Sequence, residues 1–142
     1  MERQAKLSPA TRARTIETAA SILSRGQNPE AANDQRTGIV VGYVQSGKTL
    51  SFTTVIAMAR DNNIPLVIVI AGTSEPLFNQ TRDRLADELR ITPADIPPSW
   101  LHLPNPDVSD EAIGRKPFKD WRDPERTPAE KATLILTVMK QH

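Results

Sequence analysis

The chain has no cysteine, which excludes disulfides and thiolate metal sites and points to a reducing compartment, the cytoplasm. It has no excess of either charge, with 18 Lys and Arg against 17 Asp and Glu, so any contact with nucleic acid must be local rather than the work of a global polycation. It also lacks a long apolar run. The longest, Leu66–Ala71, is far too short to span a bilayer, and no apolar segment follows Met1-Glu2-Arg3-Gln4 as a signal peptide would require. A soluble protein without a membrane partner is expected, and 142 residues supply one domain and a single core. Proline, by contrast, is plentiful: eight of the twelve fall between Pro93 and Pro128. This divides the chain into a regular first two thirds and an irregular last third.

What is present is organised around Gly42-Tyr43-Val44-Gln45-Ser46-Gly47-Lys48-Thr49, which fits the phosphate-binding pattern G-x-x-x-x-G-K-[ST]. Such a loop grips phosphate only between a strand and a helix N-terminus. Residues 37–44 form a β-branched apolar run, expected as a strand buried on both faces, and residues 50–60, free of Gly and Pro, read as the helix. Gly42 and Gly47 then allow a tight backbone path, and the N–H groups from Val44 onward make an anion nest. In such a loop Lys48 can reach the β- and γ-phosphates and the Thr49 hydroxyl can ligate Mg²⁺. The candidate nucleotide set is Gly42, Val44, Gln45, Ser46, Gly47, Lys48, Thr49 and Leu50, with Lys48 and Thr49 in the catalytic role.

Upstream, Ser8-Pro9 reads as a helix start, and Ile16, Ala19, Ala20 and Leu23 recur at helical spacing before Gly26-Gln27-Asn28-Pro29 ends the element. Gln27 and Gln35 are candidate adenine contacts or plain linker residues. Downstream, Asp61-Asn62-Asn63 marks a turn, and Leu66–Ala71 is a second all-apolar strand suited to a sheet covered on both faces. Strand, helix and strand in this order imply a right-handed crossover. Gly72-Thr73-Ser74 stands at its carboxyl end, where ligands of parallel sheets bind, and a charged helix follows to about Arg90. Residues 91–127 read as an irregular proline-rich connection. Within it Arg115, Lys116, Phe118, Lys119, Trp121 and Arg122 offer a nucleic-acid surface that the neighbouring Asp120 and Asp123 argue against. Thr127-Pro128-Ala129-Glu130 is a capping box ahead of a third buried strand over 132–139.

The pair G-Y-V-Q-S-G-K-T and V-I-A-G-T-S-x-x-L-x-x-Q resembles motifs I and Ia of superfamily-two helicases and DNA translocases. The wording V-Q-S-G-K-T with A-G-T and Q-T-R-x-R-L is more similar still to the ATPases carrying the so-called Z-one domain, associated with prokaryotic restriction and phage defence. The resemblance covers residues 38–89. It implies an α/β, three-layer RecA-like P-loop NTPase core with a parallel sheet, cut short at its C-terminus. Residues 1–36 would be an N-terminal helix and linker, and 37–142 the amino-terminal part of the ATPase. It further implies ATP and Mg²⁺ at the P-loop, and nucleic acid, DNA foremost, on Thr73, Ser74 and Gln80, with Thr137 a further backbone contact by analogy with motif Ib. Ser74 as a plain helix cap is an equal reading.

A P-loop ATPase also needs an acid at the end of a neighbouring apolar strand. Asp87-Glu88 falls inside the charged helix and Asp110-Glu111 follows Pro106-Asp107-Val108-Ser109, so neither terminates an apolar strand. The expectation is therefore the first part of a motor lobe, completed by the rest of the ATPase, with the presence of a nuclease domain downstream left open by the sequence. The alternatives are a nucleotide-binding or assembly module without turnover and, more remotely, a kinase-like P-loop protein.

Overall fold

A computed structural model of the chain describes residues 8–26, 38–40, 48–91, 99–107, 121–127 and 130–140, with residues 48–50 given by their backbone alone. The chain divides into two compact units, Met1–Ala59 and Arg60–His142.

The first unit holds α1 (Pro9–Ser24), whose start follows from its first two residues. Ser8 Oγ accepts from the Thr11 N–H at 3.1 Å, and Pro9 takes the first helical position, where a missing N–H leaves nothing unpaired. The helix closes at Gly26, whose N–H donates to the Leu23 carbonyl at 2.9 Å. Of the four-residue apolar face, Ala19 is fully buried while Ile16 stays 45% exposed, so the covered stripe is narrower than the spacing implies. The second helix, α2 (Lys48–Asp61), begins at the P-loop lysine, and Thr53, Ile56 and Ala59, three residues apart, are buried. Asn63, with φ 60°, stops it: a left-handed residue whose N–H returns to the Arg60 carbonyl at 3.0 Å.

One expectation is corrected here. Gly38, Ile39 and Val40 carry no strand, and Ile39 and Val40 are 89% and 65% exposed, so the run that was to be buried on both faces is open where it is described. A strand persists only where a neighbour takes its N–H and C=O groups, and the described sheet has no strand paired to these residues. Residues 41–47 lie outside the described residues.

The second unit is built on β1 (Leu66–Ala71), α3 (Glu75–Glu88), β2 (Trp100–Pro104) and β3 (Thr133–Met139), forming an all-parallel sheet in the order β1-β3-β2. β3, last in the chain, lies between the two earlier strands. Leu66 is opposite Leu134 and Ala71 opposite Met139 on one side; Trp100 is opposite Thr133 and Pro104 opposite Thr137 on the other. The second correction is β2 itself, which stands inside the connection read as irregular. Its prolines hid it, yet Pro104 ends an edge strand, where a missing N–H deprives no partner.

The central strand is the core: Thr133, Leu134, Ile135 and Thr137 are fully buried. α3 packs on β1 and β3 through Phe78 and Leu85, two turns apart on one face. Arg82 of the same helix lowers the pKa of His102, and His102, Ile135 and Thr137 project from one face of the sheet. On the opposite face of β1, Ile68 and Ile70 remain 57% and 68% exposed, so the two-sided cover expected for this strand is not seen at its edge.

At the amino ends of the strands the chain is pinned by several bonds. Thr133 N–H donates to Ser99 and Leu134 N–H to Pro65, at 3.1 and 2.9 Å. Arg60 donates from Nε to the Ser99 carbonyl at 3.0 Å, with its guanidinium 5.6 Å from the centre of the Trp100 ring. Trp121 donates from its indole N–H to the Ala132 carbonyl at 2.6 Å, with the Lys131 ammonium 5.9 Å from its ring centre. Trp121 of the aromatic-basic segment thus anchors the start of β3, while Arg122 beside it is exposed. Arg115, Lys116, Phe118 and Lys119 lie outside the described residues.

Candidate phosphate-binding sites

Two helix starts carry the residues singled out by sequence. At the first, Lys48 and Thr49 open α2 and Leu50 follows in its first turn, while Gly42, Val44, Gln45, Ser46 and Gly47 lie outside the described residues, as do Gln27 and Gln35. The helix runs 14 residues and has no acid in its first turn, so nothing on it neutralises the positive end of its dipole. A helix N-terminus of this kind favours an anion, and a lysine at its first position adds a point charge.

The second start is the β1–α3 turn. Gly72 leaves the sheet, Thr73 and Ser74 are exposed, and Glu75 begins the helix. Ser74 occupies the N-cap with φ −118° and ψ 149°, but its hydroxyl makes no capping bond; the link to the helix is made by its carbonyl, which accepts from Phe78 N–H at 2.9 Å. Pro76 in the first turn removes one donor, and Glu75 places a carboxylate at the same end. Both lower the anion affinity of this turn relative to that of α2. Gln80 lies exposed, more than a turn further along α3.

Thr137 is different. It is fully buried in the central strand and shares a 2.9 Å hydrogen bond with His102 Nε2. Its hydroxyl is occupied inside the sheet rather than offered at the carboxyl edge, so this candidate contact is corrected to a core residue. Burial, reinforced by the Arg82 charge, holds the His102 pKa below its ordinary value.

Two polar residues at the carboxyl edge escaped the sequence reading. Lys140, exposed, follows Met139, whose partner across the ladder is Ala71, so Lys140 leaves the sheet one residue past that pair, as Gly72 does. Asp107, also exposed, comes three residues after the end of β2. Neither had a local signal, because strand register alone puts them at this edge. Asp87 and Glu88 sit at the end of α3 as expected, and Asp110 and Glu111 lie outside the described residues. Among the described residues no three His, Asp or Glu side chains gather as a metal cluster, and no helix is long and apolar enough to cross a membrane.

Compared with known proteins, the chain matches no family model, no curated protein and no solved structure.

Proposed function

We propose that this chain is the ATP-binding part of a nucleic-acid-dependent ATPase of the helicase or translocase kind, with the RecA-like arrangement that the paired motifs imply. The observation that carries the reading is the start of α2 at Lys48, the lysine of the G-x-x-x-x-G-K-[ST] pattern, with Thr49 next and no acid in the turn. Lys48 would bind the terminal phosphates of ATP. Mg²⁺ would be held by Thr49 and would neutralise charge on the β- and γ-oxygens. Support for nucleic acid comes from Thr73, Ser74 and Lys140, which follow the strands at the carboxyl edge of a parallel sheet, the edge where such folds take ligands. Hydroxyls and an ammonium there suit sugar-phosphate backbone.

A second reading, nucleotide binding without turnover, is favoured by the residues that follow the strands: Gly72, Asn105 and Lys140, none of them a carboxylate. Titration with a fluorescent ATP analogue and Mg²⁺ tests the shared part. Lys48→Ala should lose about 1.5–3 kcal/mol, roughly ten- to a hundredfold in affinity, because it removes charge-assisted bonds. Equal affinities would remove the P-loop assignment. Residues 1–142 by themselves should bind ATP but release no phosphate above background, because none of the described strands is followed directly by an acid; release that Lys48→Ala abolishes would overturn this.

A further inference from the structure

We infer that Gly72 is the positioning residue of the β1–α3 turn, because its bare Cα lets the first turn of α3 come closer to the end of β1 than any side chain would allow. A Cβ at this position would stand 2.6 Å from Leu77 Cβ, 2.9 Å from its Cδ1 and 3.3 Å from its Cγ. Carbon atoms in favourable contact keep about 3.5–4.0 Å apart. The Cδ1 conflict could be relieved by a rotamer change, but the Cβ conflict cannot, since that atom is fixed to the α3 backbone. The φ of Gly72 is outside the left-handed region, so what the position requires is space rather than conformational freedom.

Leu77 is 51% exposed, so the close approach adds little to the core. What it does set is the path of the two residues between β1 and α3, Thr73 and Ser74. Ser74 accepts from Phe78 N–H at its carbonyl and has no side-chain cap, so the separation of α3 from β1 decides where both hydroxyls stand. Lys140 leaves the sheet at the same edge, and a shift of α3 would carry the hydroxyls away from it. This inference rests on the reading of Thr73 and Ser74 as contacts to nucleic-acid backbone. It adds the residue that aims them and explains why the turn has a glycine there.

The test is fluorescence anisotropy of a labelled single-stranded DNA of mixed sequence with the full chain, at several salt concentrations, with thermal melts and ATP-analogue titrations alongside. Gly72→Ala is expected to weaken DNA binding about tenfold and to flatten the salt slope by about one phosphate contact, with ATP affinity kept. Adding Leu77→Ala should not restore binding, because alanine keeps the Cβ that meets the new methyl. Adding Leu77→Gly should restore it. Leu77→Gly alone should bind as the wild type does. If the wild type binds no DNA in a salt-dependent way, the site reading fails and takes this inference with it. If the wild type binds and Gly72→Ala binds equally, the role of Gly72 alone is overturned. Rescue by Leu77→Ala, or by neither change, overturns the steric mechanism. Should Gly72→Ala melt without cooperativity, recovery of both melt and binding in Gly72→Ala with Leu77→Gly supports the assignment, and lack of recovery overturns it.

Discussion

His102 and Thr137 form a polar contact inside a small sheet, and its state depends on pH. The His102 pKa lies below 6.5, because burial disfavours the imidazolium and Arg82 on α3 repels it, while Thr137 on β3 offers it only a neutral hydroxyl. The unfolded chain therefore binds the proton more readily than the folded one. The contribution to stability is fully present above about pH 6.5 and is lost as pH falls through the folded-state value. Urea midpoints measured across this range should decline on acidification, and His102→Asn should remove that component of the decline; an unchanged pH profile in the variant would refute it. Thr137→Val should cost about 0.5–1.5 kcal/mol at neutral pH through the lost hydrogen bond. Sequence placed Thr137 on the right strand and gave it the wrong role. The partner that decides the role, His102, is 35 residues away, on a strand its flanking prolines concealed.

At the scale of elements, the two serine N-caps behave differently although the local sequence of each, serine before a first turn containing proline, is similar. Ser8 accepts a bond from the Thr11 N–H, whereas Ser74 makes no side-chain cap. Ser8→Ala should therefore reduce the stability of α1 by about 0.5–2 kcal/mol, read as lost helicity in far-ultraviolet circular dichroism. Ser74→Ala should move the melting temperature by no more than a surface substitution does, within about 0.5 kcal/mol. A cost at Ser74 equal to that at Ser8 would restore the plain-cap reading and weaken the ligand reading of the β1–α3 turn. The helices were legible because their stop signals are local: Gly26 after α1 and the left-handed Asn63 after α2. Residues 38–40 mark the limit of such reasoning, since an apolar β-branched run states a preference for a sheet without supplying the neighbour that makes it a strand.

At the scale of the whole molecule, one face of β1 leaves two apolar side chains open. Ile68 and Ile70 are exposed on β1, and β1 pairs on one side only among the described residues. Exposed apolar patches of this kind promote association. Ile68→Thr with Ile70→Thr should leave the urea midpoint within about 0.5 kcal/mol of the wild type and reduce concentration-dependent association in sedimentation velocity. A large loss of stability would instead mean that both side chains are covered in solution. The sequence by itself determined the local elements, α1, α2, α3, β1 and β3, because apolar periodicity, proline and the capping residues act within a few neighbours. It also determined the phosphate-binding pattern, whose spacing is a property of the chain alone. Only the tertiary structure decided that β3 lies between β1 and β2, that Thr137 turns inward to His102, that Lys140 shares an edge with Gly72, and that Gly72 must be bare because Leu77 stands 2.6 Å from where a Cβ would be. Each of these depends on strand register or on the approach of two backbones, distances set between residues that no local pattern relates.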